Sequence, residues 1–262
     1  MSELERAVQD ACAAGMSVEG WMQSEELRFL FLAAAQPTVG GEILEIGSYR
    51  GRSTVVLAKG ALLAGQDKVV ACDPFVAARP TDPDPSGPSC EAFLANLQRH
   101  GVEQHVEFHR TWSTDLARTW DRPIRLLWVD GDHAYAAVHA DVEAFLPHLV
   151  PGALLVLHDV NRAECPGPTQ CFMEDVLLSD QFGRCGLCKS IGWAQSVGEG
   201  GRREFTREKA TLCQVLAARR LKDILGAHMP RRLRWQYRKL RKGADFEHWL
   251  LSACQQRQMG RR

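Results

Sequence analysis

Two short runs in this sequence gather side chains able to do chemistry. Asp130-Gly131-Asp132-His133 sets two carboxylates and an imidazole close together, and His158-Asp159, with Asn161 just beyond, repeats the combination of acid and nitrogen donor. Each run closes an apolar stretch, Ile124–Val129 and 153–158, of the length and type of a buried strand. If those strands lie side by side and parallel, Asp130 and Asp159 meet at one mouth, the edge where open α/β sheets bind ligands. Two carboxylates with a third nitrogen or oxygen donor suit a divalent cation. Hard oxygens favour magnesium, and His158 would shift the preference toward manganese. The competing reading makes both acids strand-end caps on the following helices.

A second constellation lies earlier. Glu45-Ile46-Gly47-Ser48-Tyr49-Arg50-Gly51 follows a short strand and enters a helix. Glycines there let the backbone turn sharply and approach a ligand, and the helix N-terminus offers free N–H donors. Asp73 ends the next strand, where an acid accepts hydrogen bonds from ribose hydroxyls. A dinucleotide loop would read GxGxxG and cradle a pyrophosphate. Here Gly47 and Gly51 are four apart and Glu45 precedes them, which suits a ligand with an amino group and no phosphate. Trp112 and Ser113, after the third strand, are an aromatic and a hydroxyl that could contact an adenine; a buried aromatic is the alternative.

The run from Leu44 to Thr54, with Asp73, resembles the first motif of the class I S-adenosylmethionine-dependent methyltransferases, specifically their small-molecule O-methyltransferases. Gly20-Trp21-Met22 through Leu30-Phe31 resembles the helical lead-in of that group, so the resemblance covers residues 20–195. It implies S-adenosylmethionine as cofactor, contacted by Glu45, Gly47, Ser48, Gly51, Ser53, Asp73, Trp112, Ser113 and Asp130. Asp130-Gly131-Asp132-His133 and the acidic end of the fifth strand further resemble the magnesium-dependent sugar O-methyltransferases of glycan and natural-product pathways. That likeness implies Mg²⁺ (or Mn²⁺) on Asp130 and Asp159, and His133 as general base. The sequence departs from the pattern at His158, where the family commonly has a second acid, so the third ligand lies among His158, Asn161 and water.

The chemistry implied is simple in outline. The methyl of a sulfonium is already activated, so the enzyme must align an acceptor oxygen and remove its proton. A metal lowers the pKa of that hydroxyl, and an imidazole with a reference pKa near 6.5 can take the proton at neutral pH. Asp132 is the competing base.

These residues need a scaffold that brings several strand ends together. Apolar runs at 43–46, 68–72, Val106–His109, Ile124–Val129 and 153–158 alternate with helical segments at 53–64, 90–100, 113–120 and 134–148. That alternation predicts an α/β, doubly wound, mainly parallel sheet with helices on both faces, seven-stranded and Rossmann-like as the resemblance implies. A helical lead-in (1–36) ends before Pro37, a core spans 37–200, and a basic helical extension occupies 201–262. Within the core a proline-rich stretch at 76–90 reads as a lid or a surface excursion. Beyond the fifth strand, a helix at 170–180 and one strand-like run at 187–197 complete the core.

Composition narrows the remaining readings. The chain has 262 residues, 45% of them hydrophobic and 24% charged, which excludes wholesale disorder. No run of eighteen apolar residues is present, and the N-terminus lacks a secretory signal, so a cytoplasmic protein is expected. Nine scattered cysteines suit a reducing compartment. Cys185 and Cys188 form one CxxC, with Cys165 and Cys171 nearby, but a matching pair for zinc is absent. The zero net charge hides an asymmetry: residues 1–201 carry 15 Lys and Arg against 27 Asp and Glu, and residues 202–262 carry 17 against 5. The basic tail, with aromatics interleaved around Trp235, could steer an anionic ligand, a membrane surface or another chain, or simply pack on the acidic body. The leading reading is an enzyme acting on a small hydroxylated molecule, with nucleic acid not expected and a homo-oligomer left open. Its rivals are an RNA- or nucleotide-directed methyltransferase and a non-catalytic cofactor-binding scaffold, the latter at odds with the intact acids and His133.

Overall fold

The computed structural model describes residues 2–66, 68–76, 90–197 and 206–259. Most of the proline-rich stretch and the 198–201 linker lie outside them. Seven strands form one sheet: β1 (Glu42–Ile46), β2 (Val69–Cys72), β3 (Val106–His109), β4 (Ile124–Val129), β5 (Leu149–Leu157), β6 (Phe182–Cys188) and β7 (Ile191–Ser196). Their order is β3-β2-β1-β4-β5-β7-β6. All pairs from β3 to β5 are parallel, and β7 runs antiparallel to both its neighbours. The doubly wound, mainly parallel sheet is therefore present.

The chain order reverses direction at β1, which lies between β2 and β4, and the crevice of the sheet opens at the carboxyl ends there. Successive strand ends are knit by backbone bonds. Gly47 N donates to Cys72 O at 2.9 Å, Asp130 N to Ile46 O at 2.8 Å and His158 N to Val129 O at 3.0 Å. The three residues that begin the site loops thus start at one level.

Alternation along β4 divides the core. Trp128 joins the cluster built with Leu27, Phe31, Val56 and Phe93, while Leu127 and Val129 join Phe145, Phe172, Leu212 and Leu216 on the other face. α1 (Glu3–Met16), α2 (Ser24–Ala35), α3 (Arg52–Leu63) and α4 (Cys90–Arg99) supply the first face. α5 (Ser113–Ala117), α6 (Tyr135–Phe145), α7 (Pro166–Cys171) and α8 (Thr206–Leu225) supply the second.

Two expectations are corrected in detail. The single run at 187–197 is a hairpin, β6 and β7, whose turn uses Lys189 at φ +54° with no glycine to announce it. The helix expected at 170–180 begins earlier, with Pro166 in the first turn, where its missing N–H costs nothing, and continues as π-helical Phe172–Leu177.

The basic extension is helical: α8 is followed by α9 (Arg231–Leu240) and α10 (Ala244–Met259). It joins both cores. Leu212 and Leu216 of α8 close the second, and Phe246 of α10 lies 3.9 Å, ring centre to ring centre, from Phe29 in the first. Arg28 bridges Glu5 of α1 and Glu247 of α10, at 2.9 and 2.6 Å. Among the described residues no helix is long and apolar enough to cross a membrane.

Candidate active site

Glycine is required at the first turn because two loops touch there. Gly47 has φ +84°, and a side-chain carbon on it would stand 2.2 Å from the carbonyl oxygen of Asp130. Gly51, at φ +88°, is the N-cap of α3. Tyr49 (φ +48°) and Phe75 (φ +53°) share this left-handed region without being glycine, so backbone strain collects along the sheet's carboxyl edge. Asp73 braces it: one carboxylate oxygen accepts from the amides of Ser48 and Tyr49 at 2.8 and 2.9 Å, the other from Phe75 at 2.7 Å.

Glu45 lies beneath this turn with no exposure to solvent. One of its oxygens accepts from the hydroxyls of Ser48, at 3.0 Å, and Thr54, and the Ser53 hydroxyl also favours its charged form. Glu45 Oε1 is buried with no hydrogen-bond partner among the described residues. Burial pushes the carboxyl up to about 7, against the pull of the three hydroxyls and with Asp130 raising it further. Trp112 is 55% exposed, so the alternative of a buried aromatic does not hold. Ser113 is buried and donates to Asp141, which burial raises to about 6.

The second constellation assembles across β4 and β5. One donor atom from each of Asp130, His158 and Asp159 falls within 4.8 Å of the others, as does a second group of His133, Asp159 and Cys165. His133 Nε2 lies 3.2 Å from Asp159 Oδ2, and its Nδ1 lies 3.3 Å from Cys165 Sγ. Hydrogen bonds to Asp159 and Cys165 raise the imidazole to about 10 despite partial burial. The His133 loop is seated by Gly167 of α7, where a side-chain carbon would stand 2.2 Å from His133 O.

His158 is buried between acids. Its Nδ1 is 2.9 Å from Asp130 and 3.6 Å from Asp159, and its Nε2 is 3.4 Å from Ser190 Oγ and 3.8 Å from Glu26. Burial alone would discharge the ring, but Asp130, Glu26 and Asp159 outweigh it and hold it charged. Burial also pushes Glu26 upward, yet His158, Gln23 and Ser190 together hold it down at about 2.

Other expected residues lie apart from this cluster. Asp132 accepts from Ala134 N at 2.8 Å, capping the turn into α6. Asn161 is engaged throughout: its N–H donates to Thr169, its Nδ2 to Lys189 O, and its Oδ1 accepts from Tyr237 at 2.8 Å. Cys185 and Cys188 are thiols that burial pushes up to about 12, and neither joins a metal-binding group among the described residues. Glu26, Thr54, Ser190 and Cys165 were not expected as site neighbours. Thr54 alone had a local signal, one residue beyond Ser53 in the turn.

Comparison with known proteins bears on the fold that carries these residues. Residues 44–160 match the family model described as a methyltransferase domain. Similar solved structures include the O-methyltransferase TomG from Streptomyces achromogenes, bound to S-adenosylmethionine: 20% identity, TM-score 0.51, covering 76% of this chain and 100% of that one. The O-methyltransferase from Bacillus cereus in complex with SAH is 20% identical, with TM-score 0.50 and 74% and 90% covered. The O-methyltransferase NovP is 16% identical, with TM-score 0.55 and 67% and 81% covered. The glycine turn, Asp73 and the reversed strand order thus lie within the segment that matches the methyltransferase-domain model, on a fold shared with these O-methyltransferase structures.

Proposed function

We propose that the protein transfers methyl from S-adenosylmethionine to a hydroxyl of a small molecule, best read as a sugar or glycoside, with help from a divalent cation. The observation carrying this reading is Asp159 shared between two clusters at the carboxyl edge, one with Asp130 and His158 and one with His133, where the Asp130 backbone packs against Gly47. The O-methyltransferases among the similar folds suit the same reading.

The residues fit the cofactor. The orphaned Glu45 Oε1 is a buried acceptor that a ligand ammonium would satisfy, and Asp73 keeps acceptor capacity for a ribose hydroxyl beyond its three amide bonds. Gly47, Ser48, Gly51 and Ser53 shape the turn over it, and Trp112 and Ser113 would wall the adenine. When bound, the cofactor supplies a methyl group already activated on sulfur.

The residues also fit Mg²⁺ or Mn²⁺. Asp130 and Asp159 are the hard donors, and His158 is the nitrogen within reach of both, able to ligate once its proton is displaced. When bound, the ion supplies charge that lowers the pKa of an acceptor hydroxyl. His133, held in place by Asp159 and Cys165 and charged at neutral pH in the free protein, would receive the hydroxyl proton once a cation on Asp159 has displaced the imidazole's own proton, with Asp132 as the competing base. Unpaired thiols suit a reducing, cytoplasmic setting.

The test is incubation with labelled S-adenosylmethionine and a panel of sugars, phenols and RNA, with and without EDTA. Label should enter a sugar hydroxyl and vanish with EDTA. Transfer to RNA alone, or full activity after chelation and dialysis, would overturn the reading.

A further inference from the structure

The charge concentrated in the C-terminal extension does not spread evenly over its surface. In α9, Leu233, Tyr237 and Leu240 repeat at helical spacing and pack against α8, with Tyr237 buried. The opposite face carries Arg231, Arg232, Trp235, Arg238 and Lys239, all exposed. Trp235 is 65% exposed, an indole lying one turn from cations on either side. None of the four cations has an ion-pair partner among the described residues. By contrast, Arg234 and Arg241 are engaged in the fold, bonded to the carbonyls of Met229 and Lys189.

The end of α8, joined to α9 by residues 226–230, presents a different chemistry. Leu221, Ile224 and Leu225 recur at the spacing of one helix face and are 52%, 69% and 70% exposed. An apolar stripe beside a cationic, tryptophan-bearing helix matches the requirements of an interfacial segment. Leucines enter the boundary of the acyl chains, the indole sits at headgroup level, and Arg and Lys meet anionic phosphates.

We infer that the α8–α9 elbow docks on an anionic phospholipid surface. Nucleic acid would satisfy the cations but leave the three exposed aliphatic side chains without a role. A second copy of the chain meeting at the same face would set like charges against each other. Tyr237 ties this elbow to Asn161, two residues past Asp159, so the docked helix is held to the catalytic edge of the sheet. The inference stands apart from the reaction proposed above, because none of the surface residues belongs to the site.

Cosedimentation of the full-length protein with vesicles tests it. One vesicle set holds phosphatidylcholine and phosphatidylglycerol in equal parts, the other phosphatidylcholine alone. Binding should require the anionic lipid and weaken with salt. The variant carrying Arg231→Gln, Arg232→Gln, Arg238→Gln and Lys239→Gln should lose more than about a hundredfold in partitioning. Leu221→Ser, Ile224→Ser and Leu225→Ser together should lose at least about tenfold, with salt sensitivity kept. All these residues are exposed, so an unchanged circular dichroism spectrum and unchanged S-adenosylmethionine binding verify folding. Absence of vesicle binding overturns the inference. So does salt-sensitive binding to RNA without vesicle binding, or a dimer that the same substitutions dissolve.

Discussion

His133 Nε2 and Asp159 Oδ2 lie 3.2 Å apart, so an imidazole carried by the loop after β4 is bonded to the carboxylate that follows β5. Asp159 holds a left-handed backbone, φ +53°, at that point, Cys165 holds the other ring nitrogen, and Gly167 packs against the backbone of the same loop. This contact joins the proton-handling group to a proposed metal ligand. A change at one must be felt at the other.

In the metal-free protein the His133 imidazole, raised to about 10 chiefly by Asp159, stays protonated at neutral pH. Magnesium on Asp159 competes with that proton, so the NMR titration midpoint of His133 should fall by at least one pH unit at saturating Mg²⁺. A midpoint indifferent to Mg²⁺ would remove Asp159 from the metal site. His133→Ala should lower kcat about 10²–10⁴-fold while S-adenosylmethionine still binds. If Asp132→Asn abolishes turnover and His133→Ala does not, Asp132 is the base.

Asp73→Asn should weaken S-adenosylmethionine binding by more than about tenfold. The carboxylate accepts three amide bonds as well as serving the ribose, and an Asn Nδ2 would face donor against donor on one side. Titration calorimetry reads it directly. Unchanged affinity would show that the ligand does not use this strand end.

Glu45, raised by burial to about 7, should make cofactor binding pH-dependent. A ligand ammonium favours the carboxylate, so binding releases a proton and tightens as pH rises. Affinity at pH 6 should be about tenfold weaker than at pH 8. Glu45→Gln should bind more weakly throughout and flatten the dependence. A variant with the wild-type profile would assign the titration elsewhere.

Away from the site, Arg122, with His109, holds Glu107 down at about 2 against the effect of its burial. Its depressed pKa means the stabilisation is present above the unfolded value, about 4.3, and is lost as pH falls toward 2. The side chain is about one-third exposed, so Glu107→Gln should cost only about 1 kcal/mol at pH 7. Urea melts should show that difference shrinking to nothing near pH 2. A constant difference would mean packing, not charge, is responsible.

The sequence by itself determined the sheet, its glycine turn and the strand ends bearing Asp73, Asp130 and Asp159, because each depends on short-range pattern. Apolar runs of strand length, helical periodicity and glycine at a forced turn all act within about ten residues. It also carried the charge imbalance of the tail, though not the face on which that charge would lie. Only the tertiary structure decided which groups confront each other. Glu26 looks like one more acid in an amphipathic helix, yet packing of α2 against the β6–β7 turn buries it 3.8 Å from His158 and 3.0 Å from Ser190 N. Asn161 could have been a ligand until Tyr237, seventy-six residues later, claimed its oxygen. Burial and partner choice depend on surfaces brought together from distant parts of the chain. Those surfaces set the protonation of His133, His158 and Glu45, which no local spacing encodes.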